Sequence, residues 1–333
     1  MSVDLTLIWA GIIAFGVFMY VLMDGFDLGI GILFGAMDPH HRDVAVDTVA
    51  PIWDGNETWL VLGGAGLLAA FPVAYSTLLP ALYLPLLAML IALVFRGVAF
   101  EFRAKAERGR RFWNLAFQFG STLAAFAQGV ILGAFVRGIA VEDGVFVGGS
   151  LDWLSPFALM VGVGVTCGYA LLGAGWLIMK TEGDLQAWAR WYAKRLTVAV
   201  IAFMAVVSVW MPLVDPVVAA RWFSWPNIAW LAPIPLVTGL VAMVLWRSLF
   251  HGRDRMPFLM AMALFALGYL GLAVSLWPYV VPPGVTIWQA ASPPSSQLFL
   301  LIGMGPLIPV ILIYTGWSYW VFRGKVRPGE GYH

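Results

Sequence analysis

Long apolar runs leave this chain few folds to choose from. Stretches of about 20 mostly apolar residues, the length an α-helix needs to cross a bilayer, recur from one end to the other. They are Leu5–Phe34, Glu57–Ser76, Leu78–Phe102, Trp113–Val136, Leu154–Met179, Leu196–Leu213, Trp230–Phe250, Pro257–Val280 and Gln297–Phe322. In lipid every backbone N–H and C=O must find its partner inside the protein, so runs of this length are helices. Charged residues make up 11% of the chain, against about 25% in an ordinary soluble domain. The predicted fold is an all-α polytopic membrane protein of about nine transmembrane helices, with residues 1–333 as one integral membrane domain. The second and third runs are the least separated, with a tight turn expected between Phe71-Pro72 and Pro80.

Basic residues set the orientation. With nine spans, all but Arg137 and Arg221 of the 19 Lys and Arg fall on one side of the membrane. The positive-inside rule then predicts an outside N-terminus and a cytoplasmic C-terminus. The opening Met1-Ser2-Val3-Asp4 has neither a positive n-region nor an obvious cleavage site, so the first span is expected to be retained. The longest loops on the opposite side are Arg137–Trp153 and the Pro-rich Val281–Ser296, where Ser295 or Ser296 reads as the N-cap of the last helix. A net charge of +1 says nothing about nucleic acid, but there is no basic stripe with interleaved aromatics, and no nucleic-acid partner is expected. The partners expected are membrane lipid and other membrane subunits.

Glycines at small-xxx-small spacing recur in spans one and five: Gly25/Gly29, Gly31/Gly35 and Gly164/Gly168. They fit two four-helix bundles plus one peripheral helix, as a repeat of residues 1–136 and 154–280 followed by helix 297–322. They fit equally a set of packing seams. Gly162-x-Gly164-x-x-x-Gly168 lies mid-span, follows no strand and has the wrong spacing for a phosphate loop.

Ionisable chemistry near the membrane interior is concentrated in two short stretches. Asp24 and Asp27 lie toward the end of the first span, and Asp54 and Glu57 open the second within Trp53-Asp-Gly-Asn-Glu57-Thr-Trp59-Leu60. Each pair is three residues apart, which puts both carboxylates on one helical face. A charge at the bilayer centre costs about 2.5–3.5 kcal/mol, so four acids need relief. The topology gives it, because both pairs fall toward the cytoplasmic side, level with Arg96, Glu101 and Arg103 at the end of the third span. One reading is an ion-pair cluster that locks helix ends together; the other is a hydrated entry in which carboxylates relay protons inward. Asp27 and Glu101, nearer the edge, fit structural ion pairs with Arg103. Arg96 borders the apolar span, where it could snorkel. Gly25 and Gly55, each following an acid, fit local loosening or close helix contact, and Trp53 and Trp59 fit interfacial anchors.

No redox centre has an evident home here. His40, His41, His251 and His333 all fall in loops or at the tail, and Cys167 stands alone. Haem or copper in a membrane bundle normally needs buried imidazoles or a thiolate on facing helices. No metal site is expected in the chain.

Several blocks, in order along nearly the whole chain, resemble subunit II of cytochrome bd-type ubiquinol oxidases. They are Asp24-Gly-Phe-Asp27-Leu-Gly29, Trp53-Asp-Gly-Asn-Glu57-Thr-Trp59-Leu, Phe95-Arg-Gly-Val-Ala-Phe-Glu-Phe-Arg103, Tyr314-Thr-Gly-Trp-Ser-Tyr-Trp-Val-Phe-Arg-Gly-Lys325 and the final Gly329-Glu-Gly-Tyr-His333. The wording of Asn56-Glu57-Thr58-Trp59 and Arg96-Gly-Val-Ala-Phe-Glu-Phe is similar to the cyanide-insensitive branch. The resemblance implies a respiratory oxidase of the bacterial inner membrane that oxidises ubiquinol and reduces oxygen to water. It implies that haem b and haem d, or haem b alone, sit in a partner, subunit I. Subunit II would then be the haem-free half of a pseudo-symmetric heterodimer, with no redox-active catalytic residue of its own. A small single-helix accessory subunit and a structural quinone accompany some members. The family's proton-pathway aspartate falls on Asp54, with Asp24 and Glu57 in support. Trp59 and Arg96 match positions near the oxygen-access and inter-subunit region. Two other readings are an ion-coupled secondary transporter, which the near absence of mid-membrane charge in spans four to nine disfavours, and a purely structural membrane partner.

Overall fold

Asp4 starts the first helix: its carboxylate accepts from the backbone N–H groups of Thr6 (3.0 Å) and Leu7 (3.3 Å), two donors a helix start leaves open. From there α1 (Leu5–Leu33) runs as one piece into a 3₁₀ turn, Phe34–Ala36. This computed structural model describes residues 4–106 and 108–326; Arg327, His333 and the Gly329–His333 block lie outside them. The short α2 (Pro39–Asp47) leads to α3 (Trp53–Ala70), α4 (Pro72–Ala81), α5 (Tyr83–Lys105) and α6 (Arg110–Arg137). A hairpin, β1 (Val141–Glu142) with β2 (Val145–Phe146), precedes α7 (Pro156–Lys180) and α8 (Gly183–Val214). Next come α9 (Pro216–Phe223), α10 (Asn227–Leu231), α11 (Pro233–Phe250) and α12 (Met256–Leu276). A second hairpin, β3 (Tyr279–Val281) with β4 (Val285–Thr286), leads to α13 (Ile287–Ala290), α14 (Pro294–Met304) and α15 (Leu307–Val321).

Among the described residues, eight helical segments are long and apolar enough to cross a membrane, and a ninth arises if α3 and α4 count as one. The chain is thus an all-α polytopic membrane protein. Several expected boundaries move. The second span stops at Ala70, and after Phe71 the chain bends by 119° into α4, whose start Pro72 favours as a first-turn residue. The α4 helix packs across the bundle end on β2, β3 and α13, so Ser76 lies outside the second span. The third span begins at Tyr83, not Leu78. The sixth reaches back to Gly183, because its first turns are amphipathic, not apolar. The eighth ends at Leu276, and Val280 belongs to β3. Neither Ser295 nor Ser296 caps the last span: Pro293 holds the N-cap position of α14.

The first helix is the centre post, packed against α3, α6, α7, α12 and α14. Its glycines are seams. A Cβ on Gly29 would sit 1.9 Å from the Tyr169 carbonyl oxygen, and one on Gly173 would sit 2.5 Å from the Gly29 carbonyl carbon. Here α1 and α7 cross backbone to backbone, as only glycine permits. Between α5 and α6, Gly109 takes the left-handed φ of +85° that the tight turn needs.

Two apolar cores follow the two ends of the bundle. One joins Phe26, Leu28 and Ile30 with Leu171, Leu172, Trp176 and Leu177. The other joins Trp9, Phe71, Ala74, Val281 and Ile287. At the end carrying most Lys and Arg, cations close helix termini. Lys180 donates to the carbonyls of Phe322 and, at 2.9 Å, Gly324. Arg190 and Lys325 each lie 2.7 Å from Asp254. Burial pushes the Asp254 carboxyl up, but the hydrogen bond and charge of Lys325, with Arg190, outweigh it and leave its pKa below the usual value. Asp43 on α2 joins Arg103 and, at 2.7 Å, Arg110; burial again raises its pKa and the two arginines more than reverse that. At the opposite end Arg221 donates to the carbonyls of Val274 (2.7 Å), Ser275 (3.3 Å) and Trp277. A cation on the less basic side thus serves as the C-terminal cap of α12.

Candidate functional site

Where α1, α3 and α5 meet near the basic end, one guanidinium gathers three carboxylates. Arg96, on α5, is fully buried. Its Nη1 lies 2.8 Å from Asp24 Oδ1 and 2.7 Å from Glu57 Oε1, and its Nη2 lies 3.8 Å from Asp27 Oδ2. The Trp53 ring lies against the guanidinium at 5.7 Å and stacks on Phe100 at 5.0 Å. Arg96 therefore does not snorkel. Local helix geometry explains the arrangement: Asp24 and Asp27 share the α1 face turned to α5, so both meet one side chain. Gly25 lets Tyr169 of α7 close over the other side, where a Cβ would lie 2.9 Å from the Tyr169 ring.

Polar side chains extend the cluster on two sides. Asn56 donates to Asp27 Oδ2 at 2.7 Å, and Tyr319 of α15 donates to Asn56 Oδ1 at 2.9 Å. On the other side Gln128 of α6 donates to the Tyr20 hydroxyl at 2.8 Å, and Tyr169 donates to Gln128 Oε1 at 2.8 Å. Tyr20 sits one turn before Asp24 on α1. The sequence reading missed Tyr20, Gln128, Tyr169 and Tyr319. Gln128, a strong hydrogen-bonding group in the apolar part of its span, was the available signal.

The expected site residues divide. Asp24, Asp27, Glu57 and Arg96 come together. Asp54 does not join them: it is exposed in the first turn of α3, one turn toward the basic end from Glu57. Asp27 is 1% exposed. Glu101 is exposed and joins no ion pair among the described residues. Arg103 pairs with Asp43 and accepts a further anchor in Asn114, whose Oδ1 receives Nε at 2.8 Å. Trp59 is no interfacial anchor, being 1% exposed and packed with Tyr20 and Leu62, edge-on to Phe15 at 5.9 Å.

One guanidinium against three carboxyl groups leaves a surplus of acid. Unbalanced charge is costly in such a place unless a proton or solvent offsets it. Asp27 Oδ1 has no hydrogen-bond partner among the described residues. The chemistry available is proton binding and exchange between neighbouring carboxyls. Among the described residues the donor set does not fit haem: His40 and His41 are on α2, His251 caps α11, and Cys167 is half-buried.

Comparison with known proteins agrees with this architecture. The family model described as cytochrome bd terminal oxidase subunit II matches residues 5–322. Cytochrome bd ubiquinol oxidase subunit 2 of Bacillus subtilis (strain 168) is 31% identical, over 98% of this chain and 97% of the relative. Cytochrome bd-I ubiquinol oxidase subunit 2 of Escherichia coli (strain K12) is 29% identical, over 97% of this chain and 95% of its own length. A chain in the structure of bd oxidase from Geobacillus thermodenitrificans shares the fold, with a TM-score of 0.79 at 17% identity over 95% of this chain and 98% of that one. The chain belongs to the cytochrome bd terminal oxidase subunit II family.

Proposed function

We propose that this chain is the haem-free subunit of a bd-type respiratory quinol oxidase and that its carboxylates feed protons toward a haem-bearing subunit I. The observation that carries the reading is a graded row of acids. Asp54 is exposed, Glu57 is half-buried one turn further in, and Asp24 is fully buried. Glu57 and Asp24 touch the same nitrogen of Arg96 at 2.7 and 2.8 Å. A proton taken up by Asp54 at the basic end has successively more buried acceptors ahead of it. Arg96 keeps those acceptors together, and the surplus of carboxyls over cations lets one hold a proton while its neighbour is ionised. Haem b and haem d, or haem b alone, would carry the electrons from ubiquinol to oxygen in the partner. Among the described residues no two histidines face each other from neighbouring spans: His40 and His41 are on α2 and His251 caps α11.

In this reading the complex sits in the bacterial inner membrane, with the basic end cytoplasmic and the N-terminus periplasmic. Protons consumed when oxygen becomes water then come from the cytoplasm. Trp59 and Arg96 serve less as an oxygen entrance than as the packing and counter-ion of the acid row. The transporter reading falls with family membership.

The test is quinol oxidase turnover of Asp54→Asn and Glu57→Gln in the assembled complex. The expected result is a loss of about tenfold or more with haem content and subunit stoichiometry retained. Wild-type turnover in a haem-replete Asp54→Asn complex would refute the relay.

A further inference from the structure

A second group of ligating side chains lies outside the acid row, at the turn between α1 and α2. Asp38 holds the N-cap position of α2, with φ −62° and ψ 147°, yet its carboxylate makes no capping hydrogen bond. An N-cap aspartate ordinarily accepts from the N–H groups of the first helical turn, so this one is free for another partner. His41 Nδ1 is buried with no hydrogen-bond partner among the described residues, a polar atom that a bound ligand would satisfy. The His40 and His41 rings lie 3.9 Å apart, centroid to centroid. One ligand atom from each of Asp38, His40 and His41 falls within 4.8 Å of the other two.

The surrounding charges favour a cation. The charge of Asp184, at the start of α8, acts on the His41 ring in the same direction as that of Asp38. The neighbouring cation, Arg42, is turned away: its Nε donates to the Phe34 and Met37 carbonyls at 3.1 Å and its Nη2 to Gly35 O at 3.3 Å. We propose that Asp38, His40 and His41 form a binding site for a divalent transition-metal ion of the zinc class.

The donor types select the ion. Two imidazole nitrogens and one carboxylate oxygen suit zinc and its neighbours in the first transition row, and are poor for magnesium or calcium, which take oxygen ligands. Bonds of about 2.0–2.2 Å in a tetrahedral shell draw the donors closer than they stand here. Asp38 and His40 are exposed and free to rotate toward the buried His41 Nδ1. Three protein ligands leave a fourth position for water. An ion there would pin the connection between the helix carrying Asp24 and the helix carrying Asp54, without using either acid.

The test uses the tag-free assembled complex, stripped with a chelator, dialysed and titrated with Zn²⁺ alone, with bound metal counted by mass spectrometry. Wild type is expected to hold one more Zn²⁺ per complex than His40→Gln/His41→Gln. His41→Gln by itself is expected to weaken that ion's binding by about tenfold or more. Equal stoichiometry in wild type and the double variant would overturn the proposal, as would an extra Zn²⁺ bound only at millimolar concentrations. If the double variant fails to assemble, diethylpyrocarbonate footprinting of the wild-type complex decides. Zn²⁺ should protect both His40 and His41, and equal labelling with and without Zn²⁺ overturns the site.

Discussion

Arg96→Leu is the perturbation that tests the site most directly. Arg96 is fully buried and is the only cation within 4 Å of Asp24, Asp27 and Glu57 among the described residues. Leucine fills part of its volume but leaves three carboxyls without a counter-ion. Removing one partner of a buried ion pair costs about 3–5 kcal/mol, because the remaining charge is stranded. Two effects pull toward the lower end: Glu57 keeps 29% of its side-chain surface and can turn to solvent, and a stranded acid can take up a proton. Loss of the contact with the Trp53 ring adds about 0.5–1 kcal/mol. The net expectation is about 3–4 kcal/mol, or two to three orders of magnitude in the folding equilibrium. The assay is denaturant-driven unfolding of the complex in lipid nanodiscs, followed by haem retention and subunit dissociation. A double-mutant cycle separates the ion pair from simple packing. Asp24→Asn placed on the Arg96→Leu background should recover at least about 1 kcal/mol, since it removes the charge that was stranded. An Arg96→Leu complex within about 1 kcal/mol of wild type, or zero coupling between positions 24 and 96, would refute the account of a charge-balanced lock.

Two further expectations rest on other parts of the fold. Gly29→Ala should destabilise the subunit by about 1–3 kcal/mol, because its Cβ would meet the Tyr169 carbonyl oxygen at 1.9 Å and no rotamer can move backbone aside; Gly11→Ala, with nothing within 4 Å, is the control and should stay within about 0.5 kcal/mol. Asp43 predicts a pH dependence. Its pKa in the folded protein lies below the ordinary 3.8, so its stabilising contribution is complete above that value and is lost as pH falls through the lower, folded-state value. Melting temperatures of wild type and Asp43→Asn should therefore differ at pH 6 and converge as the pH drops below 3.8; a gap that persists unchanged at low pH would count against the arginine pairing.

Hydropathy determined a good deal without any structure. Run length fixes what can cross a bilayer, and lipid forces such runs to be helical, so the all-α architecture was legible from residues alone. The three-residue spacings were legible too, because helical periodicity is a local property: Asp24 and Asp27 do share one face and one partner. Local periodicity does not say which face turns toward a neighbour. Asp54 and Glu57 have the same spacing, yet Glu57 reaches Arg96 while Asp54 stays outside. Trp59 has the composition of an interfacial anchor and is buried instead, since α1 packs over it. Hydropathy is also blind to direction. It runs unbroken through Phe71-Pro72, where the chain turns by 119°, and it misses the amphipathic start of α8 because those turns are helical without being apolar. Which of the acids became one cluster was decided by the approach of α1, α3 and α5. That approach depends on glycine seams and cross-helix contacts, and these exist only once distant stretches of chain are brought together.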